Sequence, residues 1–114
     1  MTLYRRSWSM QIKEGAEEAY DSAHAEIWPE MRRQMEESGI IRYYLFRTGT
    51  TIFAFQERAE PFPTAEQPPS ELMNRWWSKM APLMETESGN RPKHTPLSEV
   101  FAFETTSERA KCPD

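Results

Sequence analysis

From Leu3 to Ile12 the side chains alternate, with Tyr4, Arg6, Trp8, Met10 and Ile12 set against Arg5, Ser7, Ser9 and Gln11. Period two with aromatic members predicts a strand that buries one face. Such a strand needs hydrogen-bonded neighbours and a covering layer, and the rest of the chain must supply both. Gly15 opens a stretch rich in Ala and Glu, in which Tyr20, His24, Ile27, Met31 and Met35 fall at helical spacing on one face. Glu14, Glu17 and Glu18 complement the dipole at its start, and Gly39 is a natural stop. Pro29 lies inside this pattern, lacks a backbone donor and crowds the carbonyl of Ala25. A kink or a break into two segments is expected there, beside His24.

Two β-branched and aromatic runs follow, Ile40 to Arg47 and Thr51 to Glu57, joined by Thr48-Gly49-Thr50. They predict a hairpin with Gly supplying the unusual dihedral of the turn. Residues 59–69 hold Pro61, Pro63, Pro68 and Pro69 without periodicity and predict a loop. Ser70 is a candidate N-cap for a helix from Glu71, carried by Leu72, Met73, Trp76, Trp77, Met80, Leu83 and Met84. Residues 86–96, with Gly89, Pro92, Pro96 and an exposed His94, predict a second loop. Leu97, Glu99, Phe101 and Phe103 alternate as a last strand, and a polar tail begins at Thr105. The order βαββαβ predicts an α+β, ferredoxin-like domain over residues 1–104, a four-stranded antiparallel sheet with both helices on one face, and a tail over 105–114.

Length and charge narrow the function. One domain is all that 114 residues allow. The apolar share is only 38%, so 14 aromatics (4 Trp, 4 Tyr, 6 Phe) and 7 Met must fill a thin core that a second copy would supplement. Fourteen basic against 18 acidic residues leave a net charge of −4. The arginine doublets Arg5-Arg6 and Arg32-Arg33 read as solvated positions, which argues against a nucleic-acid partner. The lone Cys112 has no disulfide or zinc partner. No run reaches the ~20 apolar residues of a membrane span, and no signal-peptide layout opens the chain, so a cytoplasmic protein is expected. Phosphate-loop, dinucleotide, nucleophile-elbow and zinc-protease motifs are absent, which leaves acid–base chemistry or plain binding.

The side chains suited to that chemistry are few. A lone helical histidine is ordinarily a surface or satisfied core residue. His24, however, shares its face with Tyr20 one turn earlier, precedes the proline and titrates near neutrality. Trp76 and Trp77 point about 100° apart on a helix, so one is expected against the sheet and the other beside a cleft, where an indole stacks on sugar C–H groups. Tyr43 and Tyr44 occupy opposite faces of a strand, and only one can look toward the helices. Ordinary packing is the competing explanation for each. Together they suit a neutral polyol on which a proton is moved.

The strings MQIKEGAEEAYDSAHAEIWPEM, RYYLF, FAF, RWWSKM, GNRP and LSEVF resemble the L-rhamnose mutarotase (rhamnose 1-epimerase) family across residues 5–103. The most specific segments are H-x-x-I-W-P-E and R-W-W-x-x-M. The resemblance implies a homodimer of the dimeric α/β-barrel type that interconverts sugar anomers without a cofactor. It implies His24 as the proton donor, Tyr20 and Tyr43 as sugar-contacting tyrosines, and Trp76 with Trp77 as the sugar-binding pair. Two departures stand out, the proline-rich loop at 59–69 and a GNRP segment without the acidic residue that more often precedes Asn90. A loop that closed the pocket would alter which 6-deoxy sugar is preferred. A non-catalytic sugar-binding or dimerisation module of the same fold is the alternative, followed by a small dimeric monooxygenase or haem-degrading protein.

Overall fold

The structure is a computed structural model and describes residues 2–65 and 67–105. Apart from Thr105, the expected tail lies outside the described residues. The elements are β1 (Tyr4–Gln11), α1 (Glu17–Ala25), α2 (Pro29–Glu37), β2 (Ile40–Thr48), β3 (Thr51–Arg58), α3 (Glu71–Met80) and β4 (His94–Leu97). The four strands form one antiparallel sheet in the order β2-β3-β1-β4. Helices cover one face, which is the ferredoxin-like arrangement.

The helix predicted across Pro29 is broken there. α1 ends at Ala25 and α2 begins at Pro29, with Trp28 as its extended N-cap. Proline is accommodated at the first helical position because no intrahelical acceptor awaits its missing N–H. α2 stops at Gly39, whose φ of 83° is left-handed and whose N–H reaches the Glu36 carbonyl at 3.0 Å. The hairpin turn is tighter than expected: Thr48 pairs with Thr51, leaving Gly49 and Thr50 in a two-residue loop with Gly49 at φ 59°. Ser70 caps α3, its Oγ accepting from the Met73 N–H at 3.0 Å.

Two boundaries differ from expectation. The third helix ends at Met80 and continues as a single 3₁₀ turn over Ala81–Leu83, because Pro82 removes the donor that an α-helical register requires. The last strand starts earlier and ends sooner. His94, expected in a loop, pairs with Met10, and Leu97 pairs with Ser7, after which no ladder continues. Residues 98–105 are exposed, with Val100 at 93%, Phe101 at 81% and Phe103 at 77%. Their alternation is real, but among the described residues no layer lies against them. Arg5 instead ties the segment down through Glu99 at 2.5 Å and Glu104 at 3.1 Å.

Pairing register sorts the side chains into rows across the helix-covered face. The rows are Tyr43–Gln56–Arg6, Leu45–Ala54–Trp8 and Arg47–Ile52–Met10. Ile12, Tyr20, Met31, Ile52, Trp76, Met80 and Met84 close the core against them. The opposite face is uncovered, with Tyr44, Phe46 and Phe53 at 49%, 60% and 39% exposure. No described helix is long and apolar enough to cross a membrane. Ile52 has no exposed area and sits where sheet and helices meet. Ile52→Ala is expected to lower the unfolding free energy by ~2–5 kcal/mol. Urea denaturation followed by tryptophan fluorescence measures this, and an unmoved midpoint would place Ile52 outside the core.

Candidate active site

Four residues on α1 bring Tyr20 and His24 onto the same side, where their rings lie 4.4 Å apart between centroids and 38° from parallel. His24 Nδ1 is 3.0 Å from the backbone carbonyl of Tyr20. A carbonyl oxygen can only accept, so Nδ1 carries the proton and donates it. In the neutral ring Nε2 is then the bare lone pair. The break before Pro29 turns Trp28 back toward α3. Trp76 is met edge-on by two rings, His24 at 5.4 Å and Trp28 at 5.1 Å. The Lys79 ammonium lies over both indoles, 5.4 Å from Trp28 and 5.6 Å from Trp76.

Between α1 and the sheet is a hollow of about 180 Å³, lined by Tyr20, Asp21, His24, Leu45, Phe46, Arg47 and Ile52. It is smaller than the ~300–1,000 Å³ of drug-sized sites and suits one compact ligand. The Tyr20 ring is buried, yet its hydroxyl has no hydrogen-bond partner among the described residues. No buried polar side-chain atom among them is left unpartnered, so this hydroxyl is not wholly shut off from solvent, and Tyr20 is one of the residues that line the hollow. Asp21 and Arg47 close one side as a two-point ion pair at 2.7 and 2.9 Å. A larger groove of about 440 Å³ lies between the β1–β4 edge and the segment after α3, lined by residues including Gln11, Glu85, Glu87, Lys93 and His94. It holds none of the five residues singled out for a sugar.

Burial sets the charge states. It pushes the Tyr20 phenol well above its ordinary value, with Tyr43 and Asp21 adding to the effect. It raises Tyr43 to about 12, against the opposing pull of Arg6. Both are neutral phenols at pH 7, able to donate or accept hydrogen bonds but not to act as resting bases. For His24, burial is the largest influence and lowers its pKa below 6.5, aided by Lys79 and opposed by the Tyr20 carbonyl and by Asp21. The imidazole is therefore neutral at pH 7.

The five candidate residues do not share a single cavity. Tyr20, His24 and Trp76 are in mutual succession. Tyr43 stands in the neighbouring row, half-buried against Trp8 at 6.0 Å and close enough to Tyr20 to influence its ionisation. Of the tryptophan pair, Trp76 is the buried one and the one that meets His24, whereas Trp77 is half-buried under the Arg91 guanidinium at 5.3 Å. Spacing did not single out Trp28, Asp21, Arg47 or Lys79. Trp28 is findable as the residue placed by a helix-starting proline, and Arg47 as a member of the same strand face as Tyr43 and Leu45. The Asp21–Arg47 pair requires the fold. Among the described residues no group of three or more His, Cys, Asp or Glu could hold a metal ion.

The sequence model of the L-rhamnose mutarotase family matches residues 5–103. An L-rhamnose mutarotase of Flavobacterium johnsoniae is 36% identical over 99 residues, which is 85% of this chain and 92% of that protein. One from Lactiplantibacillus plantarum is 37% identical over 87% of this chain and 97% of its own length. The crystal structure of an L-rhamnose mutarotase from Formosa agariphila superposes with a TM-score of 0.77 at 30% identity, covering 89% of this chain and 99% of that one.

Because the His24 pKa is depressed on folding, the unfolded chain binds more protons just below pH 6.5. The stabilising contribution of this group is thus complete above 6.5 and is lost as pH falls toward the folded value. A proton NMR titration of the His24 ring is expected to show a midpoint below 6.5. A midpoint at or above 6.5 would contradict the buried, neutral ring.

Proposed function

The chain belongs to the L-rhamnose mutarotase family, and we propose that it interconverts the α and β anomers of L-rhamnose or a related 6-deoxy sugar. The observation that carries this reading is the orientation of His24, with Nδ1–H committed to the Tyr20 carbonyl and the ring bordering the hollow. In this reading, Nε2 accepts the proton of the anomeric hydroxyl while the bond from C1 to the ring oxygen breaks. The imidazolium so formed gives that proton to the ring oxygen, leaving an open-chain aldehyde. Rotation about C1–C2 presents the other face of the carbonyl, and the same steps in reverse close the ring. No atom or electron is gained or lost, so no cofactor is needed. The two transferring oxygens share one carbon, so a single imidazole can serve both.

The depressed pKa favours this sequence, since a neutral ring must take a proton before it can give one, and the imidazolium then releases it readily. Tyr20 and Tyr43, as neutral phenols, hold the hydroxyls. Trp76 offers an apolar wall to the sugar's C–H face or methyl group, with Trp77 flanking it on the next face of α3. A second copy of the chain covers the outer sheet face, where Tyr44, Phe46 and Phe53 are exposed. We place the protein in the cytoplasm.

Magnetisation-exchange NMR on L-rhamnose tests the reading. The purified protein should speed anomer exchange above the buffer rate, and His24→Ala should slow it by ~10²–10⁴-fold with the fold intact. Sugar binding without faster exchange would favour the non-catalytic module instead. Light scattering should give twice 13.4 kDa, falling toward 13.4 kDa in a Phe46→Glu/Phe53→Glu double variant. A wild-type mass of 13.4 kDa would contradict the covered face.

A further inference from the structure

The row Tyr43–Gln56–Arg6, at the other end of the helix-covered face from Ile52, is not used by the proton transfer. Gln56 is only 6% exposed although it follows Ile52 and Ala54 on the same face of β3, where an apolar side chain would ordinarily stand. Its Oε1 accepts from Arg6 Nε at 2.9 Å, so its amide nitrogen faces elsewhere and has no partner among the described residues. Arg6 is singular in a second way. The other sheet arginines each hold a carboxylate: Arg5 holds Glu99, Arg42 holds Glu57, Arg47 holds Asp21 and Arg58 holds Glu60. Among the described residues Arg6 holds none, and both terminal nitrogens of its fork are without a hydrogen-bond partner.

The guanidinium is nonetheless fixed. Phe62 lies 4.2 Å from it and Trp8 5.4 Å, while Arg58 approaches the same Phe62 ring at 5.5 Å. Phe62 stands between Pro61 and Pro63 in the loop, and the two prolines restrict the backbone that presents it. A fork with Nε committed to Gln56 and its carbon within 4.2 and 5.4 Å of two aromatic rings leaves Nη1 and Nη2 as its remaining donors. Beside it stand the Gln56 amide donor and the Tyr43 hydroxyl, across two strand spacings or roughly 10 Å. The array is rich in donors, so it suits a ligand rich in acceptors.

We infer that Arg6 and Gln56, held by Phe62 of the proline-rich loop, form a recognition element that reads two adjacent hydroxyl oxygens on the sugar, remote from its anomeric carbon. This rests on the mutarotase reading for the placement of the sugar against Tyr43. The element determines which sugar is taken and leaves the proton transfer at His24 alone. Arg6 is a specificity residue and Phe62 a positioning residue. The loop at 59–69 thereby becomes the part of the chain that sets preference.

Calorimetric titration of the full chain with L-rhamnose and its monodeoxy analogues, alongside anomer exchange at saturating sugar, tests the element. Arg6→Met should raise the Kd for L-rhamnose about tenfold or more while the saturated exchange rate stays within about threefold. Arg6→Lys, which keeps the charge and loses the fork, should not restore binding. Phe62→Ala should weaken binding in the same direction. Wild type should reject one ring-deoxy analogue that Arg6→Met binds as well as rhamnose. Equal Kd values in wild type and Arg6→Met for every sugar would overturn the inference. So would a lowered saturated rate at unchanged Kd, or a hexuronate binding wild type more tightly than any neutral sugar, since the fork would then be reading a carboxylate. A wild type that binds and discriminates sugars by this pattern but does not speed exchange supports the element and defeats the mutarotase reading alone. A wild type that binds no sugar defeats both.

Discussion

A single hydrogen bond along one turn of α1, from His24 Nδ1 to the Tyr20 carbonyl at 3.0 Å, fixes the chemistry available to this site. It settles which imidazole nitrogen carries the proton and leaves the other as the lone pair. Tyr20 is buried at 4% exposure, so the carbonyl that holds the ring is itself anchored in the core. Burial then lowers the His24 pKa and raises those of Tyr20 and Tyr43. Burial between helices and sheet thus leaves a neutral imidazole and two neutral phenols.

Prolines shape the surroundings of that bond. Pro29 ends the run begun by α1 and turns Trp28 edge-on to Trp76, which in turn meets His24. Pro82 stops α3 after Met80. Pro61 and Pro63 flank Phe62, whose ring covers Arg6. At Pro29 and Pro82 a missing donor or a fixed φ ends a helical register, and at Pro61 and Pro63 it restricts the backbone that presents Phe62. The thin apolar composition is offset in this way, because large rings fill the space between helices and sheet that aliphatic residues would otherwise occupy.

Much of this was legible in the amino-acid order. The period of two in β1 placed Arg6, Trp8 and Met10 in the rows of the helix-covered face, although Tyr4 and Arg6 at its start are exposed, and the spacing of Tyr20 and His24 gave their shared face. Ser70 and Gly39 marked helix ends for the reasons their side chains suggest. The misread region was 94–103, where β4 occupies His94–Leu97 and the alternating residues beyond it lie exposed. Alternation reports a buried face without saying which molecule buries it. The contacts of Asp21 with Arg47, and of Phe62 with Arg6, join residues far apart in the chain and leave no local signal.

The tautomer of His24 is the quantity on which the account turns most directly. Nitrogen-15 NMR of the ring at pH 7 and above distinguishes a protonated nitrogen from a bare one. The expected result is a proton on Nδ1 and a bare Nε2 whose resonance moves when L-rhamnose is added. A proton resident on Nε2, with Nδ1 bare, would remove the bond to Tyr20 and contradict the account at its foundation.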